Sequence, residues 1–276
     1  MPVPTSRLLA IETSTDTLSV ALGSGLPGEP MWQHTGPGAA QASLTLLPVI
    51  QSLLAEAGWS LRELDALVFA RGPGSFTGLR TACAVVQGLA YGARSVERPE
   101  GLPVLPIDTL QALAVEALAL YAEAGRPSPR RVAALLDARM GELYVAAYAL
   151  RDQGLVAQRA PMLCAPADLA DWWRGAWTND AGHDGRADLL AGNAFETYGA
   201  EFSEVAGWRQ RALPTARALL QLAPAALGAG LAVSAHQALP LYVRDKVAQT
   251  TAEREQQRRG QLARLAATPP VAPLDV

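Results

Sequence analysis

The sequence predicts a two-lobed α/β protein in which one arrangement of strands and helices occurs twice, and three observations support this. First, three strand-like runs lead into alternating helical and apolar runs that continue to residue 107. Second, the opening pattern returns near Arg131: Arg131-Val132-Ala133-Ala134-Leu135-Leu136-Asp137 is an apolar run ended by a carboxylate, as is Arg7-Leu8-Leu9-Ala10-Ile11-Glu12. Third, the next apolar strand starts six residues after the acid in both places, at Leu18 and at Leu143, and the run Leu155 to Cys164 continues the parallel. The expected lobes are 1–108 and 109–243, followed by a polar tail over 244–276.

Taken in order, residues 7–13 read as a buried strand, with 18–22 and 30–34 as its antiparallel neighbours across turns at 14–16 and 23–28. A helix from about Ala40 to Ala57 follows, then a strand at 66–70, a helix at 79–93 and a strand at 104–107. The helix Thr109 to Ala124, stopped by Gly125, bridges the lobes. Beyond the second strand triplet, 166–177 reads as a helix with an aromatic face at Trp172, Trp173 and Trp177. Residues 178–186 are expected to be a polar surface loop, and its His183-Asp184 pair is read as part of that loop rather than as a catalytic pair. Leu189 to Ala191 forms a strand ending at Gly192-Asn193, and 214–227 a last helix.

The densest local signal is Arg71-Gly72-Pro73-Gly74-Ser75-Phe76-Thr77-Gly78-Leu79-Arg80, which joins an apolar strand to a helix. Its glycines permit positive φ and close backbone approach, and Ser75 or Thr77 can cap the helix. Two readings stand: a tight structural turn, or an anion site at the helix start. No Lys-Ser/Thr pair follows the glycines, so it is not a Walker loop.

Composition narrows the function classes. Half of the 276 residues are hydrophobic, no apolar stretch is long enough to span a membrane, and the start carries no leader pattern, which predicts a cytoplasmic protein. A net charge of −3 argues against a broad nucleic-acid surface. The segment 244–264 is the exception: Arg244, Lys246, Arg254, Arg258, Arg259 and Arg264 outnumber its acids, which suits a solvated tail or an RNA contact. Cys83 and Cys164 sit in apolar runs without partners at motif spacing and are expected to be inert. Ser75 and Thr77 lack a nearby His and acid, which leaves no basis for a peptidase triad.

The helix faces carry a second signal. Leu46, Leu47, Val49, Ile50, Leu53, Leu54 and Ala57 cover an arc of ~160° at 100° per residue, wider than the ~100° stripe that one lobe needs. In the next helix Ala84, Gly88 and Gly92 stand four apart, a ridge of small residues that lets another helix approach. Either these helices pack only on each other and the sheet, or part of their surface faces another subunit.

Ile11-Glu12-Thr13-Ser14-Thr15-Asp16, the GPGSFTGLR run at 72–80, Leu136-Asp137-Ala138-Arg139-Met140-Gly141-Glu142-Leu143-Tyr144, and Pro240-Leu241-Tyr242-Val243-Arg244 resemble the bacterial TsaB (YeaZ) family, in the family's order. The resemblance covers about residues 7 to 247. It implies an actin, Hsp70 and sugar-kinase type (ribonuclease H-like) duplicated fold, and a role in making threonylcarbamoyladenosine next to the anticodon of tRNAs that read ANN codons. It also implies a non-catalytic partner of TsaD, working with TsaE, that self-pairs when alone, with tRNA as substrate of the complex. TsaD-like catalysts hold a metal through two histidines four apart on the first long helix. Here the histidines are His34, His183 and His236, none at that spacing, so no metal site is expected. Ala42 stands where many relatives keep a histidine, and Glu12 where the family usually has Asp.

The resemblance places the partner interface on Leu46, Ile50, Leu53, Arg80, Ala84, Gln87, Gly88 and Tyr91, with Arg80 placed to reach a partner carboxylate and Gly72, Pro73, Gly74, Ser75, Phe76, Thr77 and Gly78 shaping the loop. No cofactor is required by this subunit, ATP or ADP being a matter for the complex. A weak nucleotide site between the lobes, at Glu12, Thr13, Ser14, Asp137 and Gly192, stays open. The alternative is a working ATPase or kinase with ATP in that cleft.

Overall fold

The computed structural model describes residues 6–38, 41–152, 154–177, 188–199, 201–203 and 205–244. Those up to Val243 belong to one compact unit. Strand β1 (Leu8–Glu12) is apolar along its whole length until the terminal acid, because it lies in the middle of a sheet covered on both faces. It pairs antiparallel with β2 (Thr17–Gly23), which pairs with β3 (Met31–Pro37), and parallel with β4 (Ala66–Gly72), which pairs with β5 (Val104–Asp108). The order is β3-β2-β1-β4-β5.

The second sheet repeats this plan. Strand β6 (Arg131–Asp137) pairs antiparallel with β7 (Leu143–Arg151), β7 with β8 (Gly154–Cys164), and β6 parallel with β9 (Asp188–Gly192). β10 (Trp208–Arg211) completes the order β10-β9-β6-β7-β8. Glu12 and Asp137 therefore end equivalent central strands. This is a duplicated α/β fold, with one five-stranded plan occurring twice.

Helices cover each face. One face of the first sheet, with Leu9, Ile11, Leu18, Val20, Leu67 and Phe69, lies under α1 (Ala42–Ala57) and α2 (Phe76–Gly92). Its other face, with Leu8, Ala10, Val68 and Leu105, receives α5 (Ala216–Gly228) through Leu219, Leu220 and Ala223. On the second sheet, α3 (Thr109–Glu123) covers Val132, Ala134 and Ala146, while α4 (Leu169–Gly175) and Trp177 cover Leu135, Val145 and Leu190. α3 and α5 are stapled to each other: the Glu116 carboxylate, buried, accepts from Thr215 Oγ1 at 2.6 Å and from Arg217 Nη2 at 2.6 Å. Gly125, at φ 70°, ends α3, as expected.

Some expectations need correction. The stretch 109–243 is not a packing unit by itself, because α5 returns to the first sheet and Val233 pairs with Val104 on the edge of β5. α2 starts at Phe76, since Ser75 Oγ accepts from the Gly78 amide and closes the first turn there. The helix expected over 166–177 is a 3-10 turn, Pro166–Asp168, followed by the short α4. β10 was not expected at all. The loop with His183 and Asp184 and the basic tail past Arg244 lie outside the described residues. Among the described residues no helix is long and apolar enough to cross a membrane.

Candidate functional site

The turn over 72–78 is built against the end of β1. Ser75 donates its amide to the Ser14 carbonyl at 2.7 Å, Thr13 Oγ1 donates to the Gly78 carbonyl at 2.8 Å, and Leu79 donates to Ser75 O at 2.9 Å. A Cβ on Gly78 would stand 1.8 Å from the Thr13 carbonyl, and one on Gly74 2.6 Å from that of Ser14. The glycines therefore serve close backbone approach, and amides at the helix start are used inside the chain. This geometry favours the structural turn over the anion site.

A strap over residues 231–243 clamps α2 from outside. Its Ala238 carbonyl accepts from Cys83 Sγ at 3.0 Å and from Gln87 Nε2 at 2.9 Å, and Leu241 donates its amide to Arg71 O at 2.7 Å. Tyr242 packs on Phe76 with ring centroids 5.3 Å apart, and its hydroxyl accepts from Arg80 Nε at 3.1 Å. The Arg80 guanidinium also lies 3.7 Å over the Phe76 ring. Burial raises the Cys83 thiol above its ordinary range and that of Cys164 to about 11, so both stay protonated near neutral pH.

Of the expected interface, Leu46, Ile50 and Leu53 must be corrected. They are 1–3% exposed and form the inward stripe of α1 with Ala42, packed on the first sheet. The strap holds Gln87 through its Nε2 and Arg80 through its Nε, and Arg80 stays exposed. Ala84, Gly88 and Tyr91 do lie on the exposed side of α2, with Gly92. A Cβ on Gly88 or Gly92 would meet nothing within 4 Å, and Tyr91 is 64% exposed. Leu44 and Leu47, at 77% and 47% exposure, add the solvent edge of α1's apolar arc. The signal for Leu44 was in the sequence as its spacing from Leu47, but it lay outside the arc counted there.

The cleft end reads differently. Glu12 is fully buried, its Oε1 accepts from the Ser14 amide, and its Oε2 has no partner among the described residues. Burial pushes its carboxyl up to about 7, Ser14 only partly opposing this. Thr13's hydroxyl is committed to Gly78, and Gly192 packs its Cα against the Leu135 carbonyl at φ 147°, where a Cβ would clash. Asp137 Oδ1 accepts from the Arg139 amide at 2.8 Å, and Arg139 reaches across 123 residues of sequence to donate to Asp16 Oδ2 at 2.6 Å. Arg139 also pairs with Asp137 at 3.8 Å. A guanidinium thus joins the exposed Asp16 to the largely buried Asp137, while Glu12 is sealed beneath the turn. Among the described residues no cluster of three His, Cys, Asp or Glu could hold a metal.

The family described as "TsaD: tRNA N6-adenosine threonylcarbamoyltransferase" matches residues 38–252. The chain is 31% identical over 247 residues to the tRNA threonylcarbamoyladenosine biosynthesis protein TsaB of Escherichia coli, covering 88% of this chain and 96% of that protein. The chain belongs to the TsaB (YeaZ) family. The TsaB of Haemophilus influenzae is 41% identical over 140 residues, which is 50% of this chain and 51% of that protein. A structure of YeaZ from Pseudomonas aeruginosa superposes with a TM-score of 0.69 at 35% identity, covering 86% of this chain and 99% of that one. Set against TsaB relatives of full length, the α1 and α2 face and the strap fall inside the shared region, not in an addition peculiar to this chain.

Proposed function

We propose that the chain is a non-catalytic subunit in the threonylcarbamoylation of the adenosine next to the anticodon of tRNAs reading ANN codons, where it binds and supports TsaD. The supporting observation is the open ridge of Ala84, Gly88 and Gly92 beside Tyr91, with Leu44 and Leu47 on α1: apolar, exposed and shaped for a second helix. The printed names of the TsaB relatives tie them to tRNA threonylcarbamoyladenosine biosynthesis. A tRNA N6-adenosine threonylcarbamoyltransferase of Nitrosospira multiformis is 33% identical over 118 residues. In this reading TsaD and TsaE are the partners, the same ridge pairs two copies when TsaD is absent, and tRNA is substrate of the complex in the cytoplasm. The subunit needs no cofactor of its own.

Reconstitution tests it. TsaD with TsaE, ATP, the other pathway substrates and tRNA should transfer the threonylcarbamoyl group efficiently only when this chain is added, and the chain alone should turn over no ATP. Steady ATP turnover by the pure chain, lost in Asp137→Asn, would instead establish the working ATPase.

A further inference from the structure

A groove of about 1080 Å³ runs between α3 and α5 on a side of the molecule that the proposed TsaD face does not use. Val115, Leu118 and Ala122 of α3 and Leu222 and Ala225 of α5 line its walls, with Ala229 just past the end of α5. The alanines leave the volume open. Along α3 the lining runs from Gln111 to Ala122, roughly 16 Å at the helical rise.

The two ends differ in charge. At the start of α3, Arg71 is paired with Asp108 at 2.5 Å, so that end is neutral. Past the end of α3, Arg126 also lines the groove. Its guanidinium is fixed by two rings, 5.3 Å from the centroid of Tyr121 and 4.6 Å from that of Trp208. Among the described residues no carboxylate pairs with it and no acceptor takes its side-chain N–H groups. The Tyr121 hydroxyl, from a buried residue of the same wall, likewise has no hydrogen-bond partner among the described residues.

We infer that the groove binds a long-chain carboxylate, its hydrocarbon chain lying between α3 and α5 and its head on Arg126. A planar guanidinium matches a carboxylate's two oxygens, and one unpaired cation calls for one negative charge. A protein partner of ordinary size covers about 800 Å² on each side. A groove closed at one end by a neutral ion pair and at the other by a single arginine suits a slender molecule better. A cavity of this size with mostly apolar walls and few polar groups is the usual form of a small-molecule site. This inference does not rest on the TsaD reading, and its test involves no partner.

The test is calorimetric titration of the full chain with dodecanoate below its micellar concentration, beside dodecyltrimethylammonium and dodecanol. Dodecanoate should bind one to one, and Arg126→Gln should weaken it at least tenfold while Arg126→Lys restores part of the affinity. Ala122→Trp and Ala225→Trp, at exposed positions that fill the groove, should each abolish binding with an unchanged melting curve. Each of these results would overturn the inference: no saturable binding, dodecyltrimethylammonium or dodecanol binding as tightly as dodecanoate, or Arg126→Gln without effect. Should the tryptophan variants leave dodecanoate binding intact, the groove is not the site.

Discussion

Glu12→Gln probes the most unusual group in the first sheet. The wild-type carboxyl is fully buried and titrates near 7 instead of 4.5. At about 1.4 kcal/mol for each tenfold change in proton affinity, that gap corresponds to about 3 kcal/mol of linkage between protonation and folding. The sign follows from which state holds the proton. Between pH 4.5 and 7 the native chain keeps it and the unfolded chain has released it, so folding takes up a proton in that window. The contribution is complete below about 4.5, falls as pH rises, and is gone above about 7. Glutamine is neutral at every pH and nearly isosteric. Urea unfolding of both proteins from pH 4 to 9 should give a stability difference that is flat in acid, shifts by up to about 3 kcal/mol in favour of Glu12→Gln across that window, and flattens again. Groups common to both proteins cancel in the difference. A difference independent of pH would refute the sealed, near-neutral Glu12 and reopen it as a charged ligand in the cleft.

Other expectations follow from burial. Ile50→Asp puts a charge at a site 2% exposed and should cost roughly 3–5 kcal/mol, so thermal melting should show loss of the fold, not selective loss of docking. Gly88→Ala and Gly92→Ala, which meet nothing within 4 Å, should each stabilise the isolated chain by about 0.5–1 kcal/mol, measured by denaturant midpoint. Glu116→Ala leaves Arg217 and Thr215 without their shared acceptor, and should cost about 2 kcal/mol in the same assay while leaving the α1 and α2 face intact.

Much of the fold was legible because local pattern and burial agree. The apolar runs ended by Glu12 and Asp137 became the two central strands, and the repeat in their spacing became the repeat in sheet order. The glycine-dense junction at 72–78 was legible as a turn, and its contact with Thr13 and Ser14 explains the glycines. β10 was not legible: Trp208-Arg209-Gln210-Arg211 is a short, mostly exposed edge strand with no apolar alternation to mark it. Neither was the return of α5 to the first sheet, since periodicity states that a helix buries a face but not which sheet receives it. The same gap misassigned α1. The width of its arc was correctly excessive, but the centre of that arc, Leu46, Ile50 and Leu53, belongs to the sheet; of the arc's large side chains Leu47 is the one well exposed, beside Leu44, which lies outside it. The Arg139–Asp16 bridge joins residues too far apart in sequence for any motif to register.

The proposal that this chain docks TsaD through the outer ridge of α2 is tested most directly by calorimetric titration of TsaD with the wild type and with Gly88→Trp. The account predicts a saturable one-to-one complex for the wild type, weakened at least about thirtyfold by the indole, with the melting curve of the free variant unchanged. Equal affinities for the two proteins would contradict it.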